Sequence, residues 1–179
     1  WNVTIVRVDE KKGDVYFTAE RDARVRQALY KVDSKGVITA LTDPALNASS
    51  ISISPDFKYF VASVSNYSTP TQIWLHTTAK AGDPKTRNSE KYAMKVADLA
   101  GPDFNLANYS IPQNMTIKSR DGLDLYGYMI LPKDFDPSKK YPVIVYVYGG
   151  PHSQMVQNTF MAQLRRWEMY MAQKGYLVY

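Results

Sequence analysis

The stretch Lys139-Lys-Tyr-Pro-Val-Ile-Val-Tyr-Val-Tyr-Gly-Gly-Pro-His-Ser-Gln154 decides how this chain is read. Its Val/Ile/Tyr run is apolar at successive positions rather than alternate ones, the pattern of a strand covered on both faces, as in an α/β sheet. Two glycines and a proline then end it. In open α/β sheets ligands sit outside the carboxyl ends of the strands, so Tyr148 projects where chemistry would occur. Gly149 and Gly150 read as a tight turn beside a ligand, with Pro151 stiffening the exit. On these residues alone an ordinary loop remains an open alternative.

Downstream, Phe160, Leu164, Trp167, Tyr170 and Met171 recur at helical spacing, predicting a helix from about 158 to 174 with that stripe inward. Gly175 is placed to cap it, and Gly175-Tyr-Leu-Val-Tyr179 resumes a strand. Strand, glycine loop, helix and strand make a βαβ unit. Upstream, from Asn114, a hairpin turning at Asp121-Gly122 is followed by an alternating strand.

The first 78 residues read differently. Short alternating runs (VTIVRV, VYFTAE, ALYKVD, VITALT, SISIS, YFVASVS and TQIWLHTT) are separated by Gly, Pro, Asp and Asn turns, an antiparallel meander. Tyr16-Phe17 and Tyr59-Phe60 open two similar stretches about 43 residues apart, the period of a four-stranded propeller blade; a β-sandwich is the alternative. Residues from about 79 to 113, rich in Lys, Asp, Asn, Gly and Pro, read as a connection. The expected division is therefore propeller blades with a linker over 1–112 and an α/β unit over 113–179.

Composition narrows the function. The chain has 179 residues, 45% of them apolar, 14 Tyr, no Cys and a formal charge of +5. Its Lys and Arg fall in scattered pairs rather than a stripe interleaved with aromatics, which argues against nucleic-acid binding despite a pI near 9.2. The absence of Cys removes disulfides and thiolate chemistry. The longest apolar run is far short of the roughly 20 residues a membrane helix needs. Gly122 to Gly127 lacks the Lys-Ser/Thr of a phosphate loop, and the carboxylates lack calcium-loop spacing. Sequons stand at Asn2, Asn47, Asn66, Asn108 and Asn114. Of the His residues, His152 reads as loop lining and His76 as a strand residue.

The stretch KKYPVIVYVYGGPHSQ, preceded by DGLDLYGYMILPKDFDPSKK, resembles the opening of the α/β-hydrolase domain of the prolyl oligopeptidase superfamily, most closely its dipeptidyl peptidase IV branch. WNVTIVRVDEKKGDVYFTAERDARVRQALYKVD and SISPDFKYFVASVSNYSTPTQIWL resemble that branch's last propeller blades. The resemblance implies a serine peptidase releasing dipeptides or tripeptides, with a peptide substrate, no cofactor, a homodimer of the complete enzyme, and a periplasmic or extracellular location. It gives Tyr148 the role of oxyanion donor and places Gly149, Gly150, Ser153 and Gln154 in the substrate-side loop. The nucleophile motif G-x-S-x-G does not occur in these residues, so the chain is expected to end before the catalytic Ser, Asp and His. The paired glutamates that bind a substrate amino terminus in that branch are not matched here. An acylaminoacyl-peptidase or esterase relative, and a propeller binding module without catalysis, are the rival readings.

Overall fold

The computed structural model describes residues 2–150, 154–163 and 166–179. Its first sheet runs β1 (Val3–Asp9), β2 (Asp14–Ala19), β3 (Ala28–Val32) and β4 (Ile38–Ala40), each antiparallel to the next and in chain order. The period-2 alternation explains why this sheet uses both faces. Tyr16 joins one cluster with Leu29 and Leu41, while its neighbour Phe17 joins another with Ala19, Ala28 and Tyr30. The β3–β4 turn is closed by the Asp33 carboxylate, which accepts the amide hydrogens of Lys35 and Val37, and by Gly36 at φ +81°.

The second sheet repeats the plan with β5 (Asn47–Ile53), β6 (Tyr59–Asn66), β7 (Thr69–Thr77) and β8 (Ala93–Asp98), again consecutive and antiparallel. The fourth strand corrects the reading of 79–113 as a plain connection. Residues 93 to 98 pair with β7 from His76–Ala93 to Gln72–Asp98, after a short helix α1 (Thr78–Ala81) and a series of turns. The polar, turn-rich composition of that intervening stretch hid a strand whose own residues are mostly exposed.

The two sheets pack on one another through Tyr16, Leu29 and Leu41 on one side and Ile53, Phe60, Ala62 and Val64 on the other. Polar groups reinforce the seam. Arg7 donates to the Ile53 carbonyl at 2.8 Å and lies over the Phe57 ring. Arg87, 7% exposed, donates from Nε to the Ala81 carbonyl at 2.8 Å and from Nη2 to the Ala40 carbonyl at 3.1 Å. A guanidinium has the fork geometry for such a bridge, and the carbonyls satisfy its buried hydrogens.

The C-terminal unit begins with the hairpin β9 (Gln113–Lys118) and β10 (Asp124–Met129), turning through Ser119–Leu123 as expected. β11 (Val143–Ile144) and β12 (Leu177–Val178) then pair in parallel, and Ile130 bridges Val178 from the other side. Between them runs α2 (Arg166–Gln173), preceded by a 3-10 turn at Phe160–Gln163. This is the expected βαβ connection. Gly175, at φ +89°, donates to the Ala172 carbonyl while Tyr176 donates to Met171, the paired bonds that close a helix on a left-handed residue.

Two expectations for this unit change. The face that α2 buries is Glu168 and Ala172 with Met171 beside them, whereas Trp167 and Tyr170 of the expected stripe are 38% and 56% exposed. Leu164 lies outside the described residues. The strand after Pro142 is also not covered on both faces: Val143, Val145 and Val147 are 57%, 60% and 73% exposed, while Ile144 and Tyr146 are half-buried. The helix covers one face, and among the described residues nothing packs on the other. No helix among the described residues is long and apolar enough to cross a membrane.

Candidate functional site

The segment that follows the Tyr148 loop ties the C-terminal unit to both sheets. Gln154 donates from Nε2 to the Arg24 carbonyl at 2.7 Å and to the Val156 carbonyl at 3.2 Å. The Asn158 amide donates to the Val25 carbonyl at 2.8 Å, and its side-chain Oδ1 accepts from the Tyr67 amide at 2.9 Å. Phe160 donates its amide hydrogen to Ser65 Oγ at 3.2 Å and sets its ring edge-on to Phe104. Arg24 and Val25 belong to the β2–β3 connection, Ser65 to β6 and Tyr67 to the β6–β7 turn.

Beside this seam lies a cleft of about 1000 Å³. Glu20 and Arg24 wall it on the first sheet, Tyr126 and Tyr128 on β10, and Tyr146, Tyr148 and Gln154 on the strand and loop after β11. Its floor holds Glu168, 2% exposed, whose carboxylate accepts a hydrogen bond from the Tyr128 hydroxyl at 3.3 Å. Tyr67 packs edge-on to Tyr128. Its own buried hydroxyl has no hydrogen-bond partner among the described residues, and burial pushes the phenol well above its ordinary range.

Tyr148 stands at the carboxyl end of the β11 run, with its side of the cleft open and the residue 46% exposed. The ladder beneath it is firm: Tyr179 donates to the Ile144 carbonyl at 2.8 Å and Tyr146 donates to the Tyr179 carbonyl at 2.6 Å. Gly150 has a different job from the one its sequence suggests. Its φ is not positive; instead, a Cβ there would lie 2.7 Å from both Cζ and Oη of Tyr148, so the missing side chain is the space the phenol occupies. Gly149 also lacks a positive φ, and a Cβ on it would meet nothing within 4 Å.

Of the other residues singled out by sequence, Ser153 and His152 lie outside the described residues. Gln154 is on the cleft but uses its amide hydrogens on carbonyls. His76 is far from this chemistry in kind. It is 4% exposed, stacked between Phe60 at 4.9 Å and Trp74 at 6.0 Å, with Nδ1 3.2 Å from the Arg87 carbonyl. Among the described residues no group of three or more His, Asp or Glu side chains gathers as a metal site. Sequence reasoning passed over Asn158 and Glu168 because they lie in a helical pattern read for its apolar members, and over Tyr67 because it lies in the turn between two strands.

Comparison with known proteins adds to the geometry. Residues 1–71 match the family model described as the dipeptidyl peptidase IV (DPP IV) N-terminal region. Dipeptidyl peptidase 8 of Homo sapiens is 33% identical over 157 residues, covering 87% of this chain and 17% of that protein. Dipeptidyl-aminopeptidase B of Aspergillus niger is 32% identical over 178 residues, 96% of this chain and 18% of that protein. The crystal structure of Porphyromonas gingivalis dipeptidyl peptidase 4 superposes with a TM-score of 0.77 at 28% identity, over 99% of this chain and 24% of that one. The chain thus spans less than a fifth of the length of these curated relatives.

Proposed function

Because the chain belongs to the dipeptidyl peptidase IV-like branch of the prolyl oligopeptidase superfamily, we propose that it works within a serine exopeptidase that removes dipeptides or tripeptides from peptide amino termini, after Pro or Ala. In this reading residues 1–112 are the last blades of the propeller and 113–179 open the α/β-hydrolase domain. The cleft between them is the substrate side of the enzyme.

The observation that carries the proposal is the placement of Tyr148. It follows a strand of a parallel pair, lies against Gly150 and faces a cleft shared by both units. A phenol held there suits an oxyanion donor: it would meet the negative charge that develops on a peptide carbonyl under attack, and such a donor typically contributes about 3 to 4 kcal/mol of transition-state stabilisation. Gly149, Gly150, Ser153 and Gln154 would border the bound peptide. The Ser nucleophile, its His base and the orienting Asp have no counterpart in these 179 residues, which contain no G-x-S-x-G. The site calls for no metal or organic cofactor, and the complete enzyme is proposed to act in the periplasm or outside the cell, as a homodimer.

The test is product analysis on the full-length protein. Peptides with Pro or Ala at the second position should yield amino-terminal dipeptides, acetylation of the terminus should abolish cleavage, and a fluorophosphonate should label one serine. Cleavage of the acetylated peptide in preference would favour an acylaminoacyl-peptidase. Absence of both cleavage and labelling would leave a binding protein.

A further inference from the structure

The β2–β3 connection, Glu20-Arg-Asp-Ala-Arg-Val-Arg-Gln27, carries three arginines in three different surroundings. Arg21 lies over the Tyr30 ring and 3.7 Å from Asp22, and Arg24 is exposed at the cleft. Arg26 turns inward, and its neighbours hold it there. On one side the Val25 carbonyl accepts from the Asn158 amide at 2.8 Å. On the other, the Gln27 amide donates to Asn47 Oδ1 at 2.8 Å and the Gln27 carbonyl accepts from the Ala48 amide at 2.7 Å. The guanidinium thus lines a smaller cavity, of about 250 Å³, where the first sheet, β5 and the segment 157–159 meet.

Arg26 Nε is buried and has no hydrogen-bond partner among the described residues, and none of their carboxylates pairs with the guanidinium. Thr159 lines the same cavity, with its Oγ1 buried and equally unpartnered. Native proteins rarely leave such groups orphaned, and two in one cavity point to an occupant. We infer that this cavity binds a small oxyanion of the phosphate, sulfate or carboxylate kind, held side-on by Arg26 and by the Thr159 hydroxyl. A guanidinium presents parallel N–H bonds matched to two oxygens of such an ion. The Asn47 carboxamide, whose oxygen is taken by Gln27, and the Ser49 hydroxyl add donors to the wall. Water could satisfy the orphaned hydrogen, but it would leave the arginine charge uncompensated. Glu20 is the one carboxylate on the wall, and its charge opposes the ligand. An ion in this place ties the first sheet to the C-terminal segment, right beside the Val25–Asn158 bond.

The experiment is calorimetric titration of the full-length protein with inorganic phosphate at constant ionic strength, a measurement that needs no peptidase activity. Binding should saturate with a Kd of about 1 mM, and the melting temperature should rise with occupancy. Arg26→Gln should weaken binding by about tenfold or more, and Thr159→Val by about threefold. Glu20→Gln should tighten it by about threefold, because a repelling charge is removed. Absence of saturable binding would overturn the inference, as would an unchanged Kd in Arg26→Gln. Loss of binding in Glu20→Gln would make the cavity a cation site and overturn it too. If Arg26→Gln folds poorly, Thr159→Val, which keeps the side chain's shape, carries the mutational test. Crystals of the full-length protein soaked in selenate should then show an anomalous peak beside Arg26 Nε. Water alone in that place, or a side chain from the remainder of the protein lying on Arg26, would contradict the assignment.

Discussion

Tyr148 lies back over Gly150, and the hydrogen that glycine carries in place of a side chain is what gives the phenol its room: a Cβ would sit 2.7 Å from both Cζ and Oη. The clash in Gly150→Ala falls on the far end of a side chain that is 46% exposed, so the ring can swing away at little cost in stability. The hydroxyl, however, would leave its place. Gly150→Ala in the full-length enzyme should therefore lower kcat about tenfold or more while the melting temperature stays within about 2 °C. A normal kcat in that variant would show that the phenol can be moved without consequence.

His76 gives the fold a pH dependence. Burial in the Phe60–Trp74 stack pushes its imidazole below the ordinary 6.5; the hydrogen bond to the Arg87 carbonyl opposes this, and the Arg87 charge adds to it. The unfolded chain takes up this proton near pH 6.5 and the folded chain only at lower pH, so the contribution is full above about 6.5 and is lost as pH falls toward the folded value. Melting temperature should decline between about pH 7.5 and 5.5, and His76→Phe, which keeps the stack, should flatten that decline. Asp33, Asp56, Asp98 and Asp136, all held below the usual carboxylate range by hydrogen bonds from neighbouring amides or hydroxyls, act only in a separate, more acidic window.

The 179-residue chain expressed alone should associate and should not hydrolyse a Gly-Pro chromogenic substrate. β1, an edge strand among the described residues, exposes Val3 at 54% and Ile5 at 65%, and β11 with the run after it exposes Val143, Val145 and Val147. Such edges template pairing between copies. Sedimentation should show concentration-dependent association that Ile5→Lys and Val147→Lys together reduce. A monodisperse monomer with a sharp thermal transition would contradict this.

The blades were legible because their signal is local. Alternation in VYFTAE and YFVASVS, with turn residues between, maps directly onto strands whose faces the structure finds buried on alternate sides. β8 was not, because Ala-Met-Lys-Val-Ala-Asp is exposed at most positions and needs β7 beside it to be recognised. The βαβ connection and the Gly175 cap followed from pattern, but the buried side of α2 did not. An apolar stripe gives a helix its period, and tertiary packing decides whether Trp167 or Glu168 faces in. At the proposed site, Tyr148 was singled out by its place after a strand and by the resemblance, and the structure puts it on the cleft. Asn158 could not be, since its value comes from a carbonyl and an amide more than ninety residues away in sequence, as the 91-residue separation from Tyr67 illustrates.

The central claim is that the Tyr148 hydroxyl meets the oxyanion, and Tyr148→Phe in the full-length enzyme addresses it directly by removing the donor while keeping the ring. The account predicts a kcat lower by about a hundredfold or more, with KM little changed and the melting temperature unshifted. A phenylalanine variant with unchanged kcat and an unshifted melting temperature would mean that Tyr148 only packs the loop, and the proposed catalytic role of this chain would be contradicted.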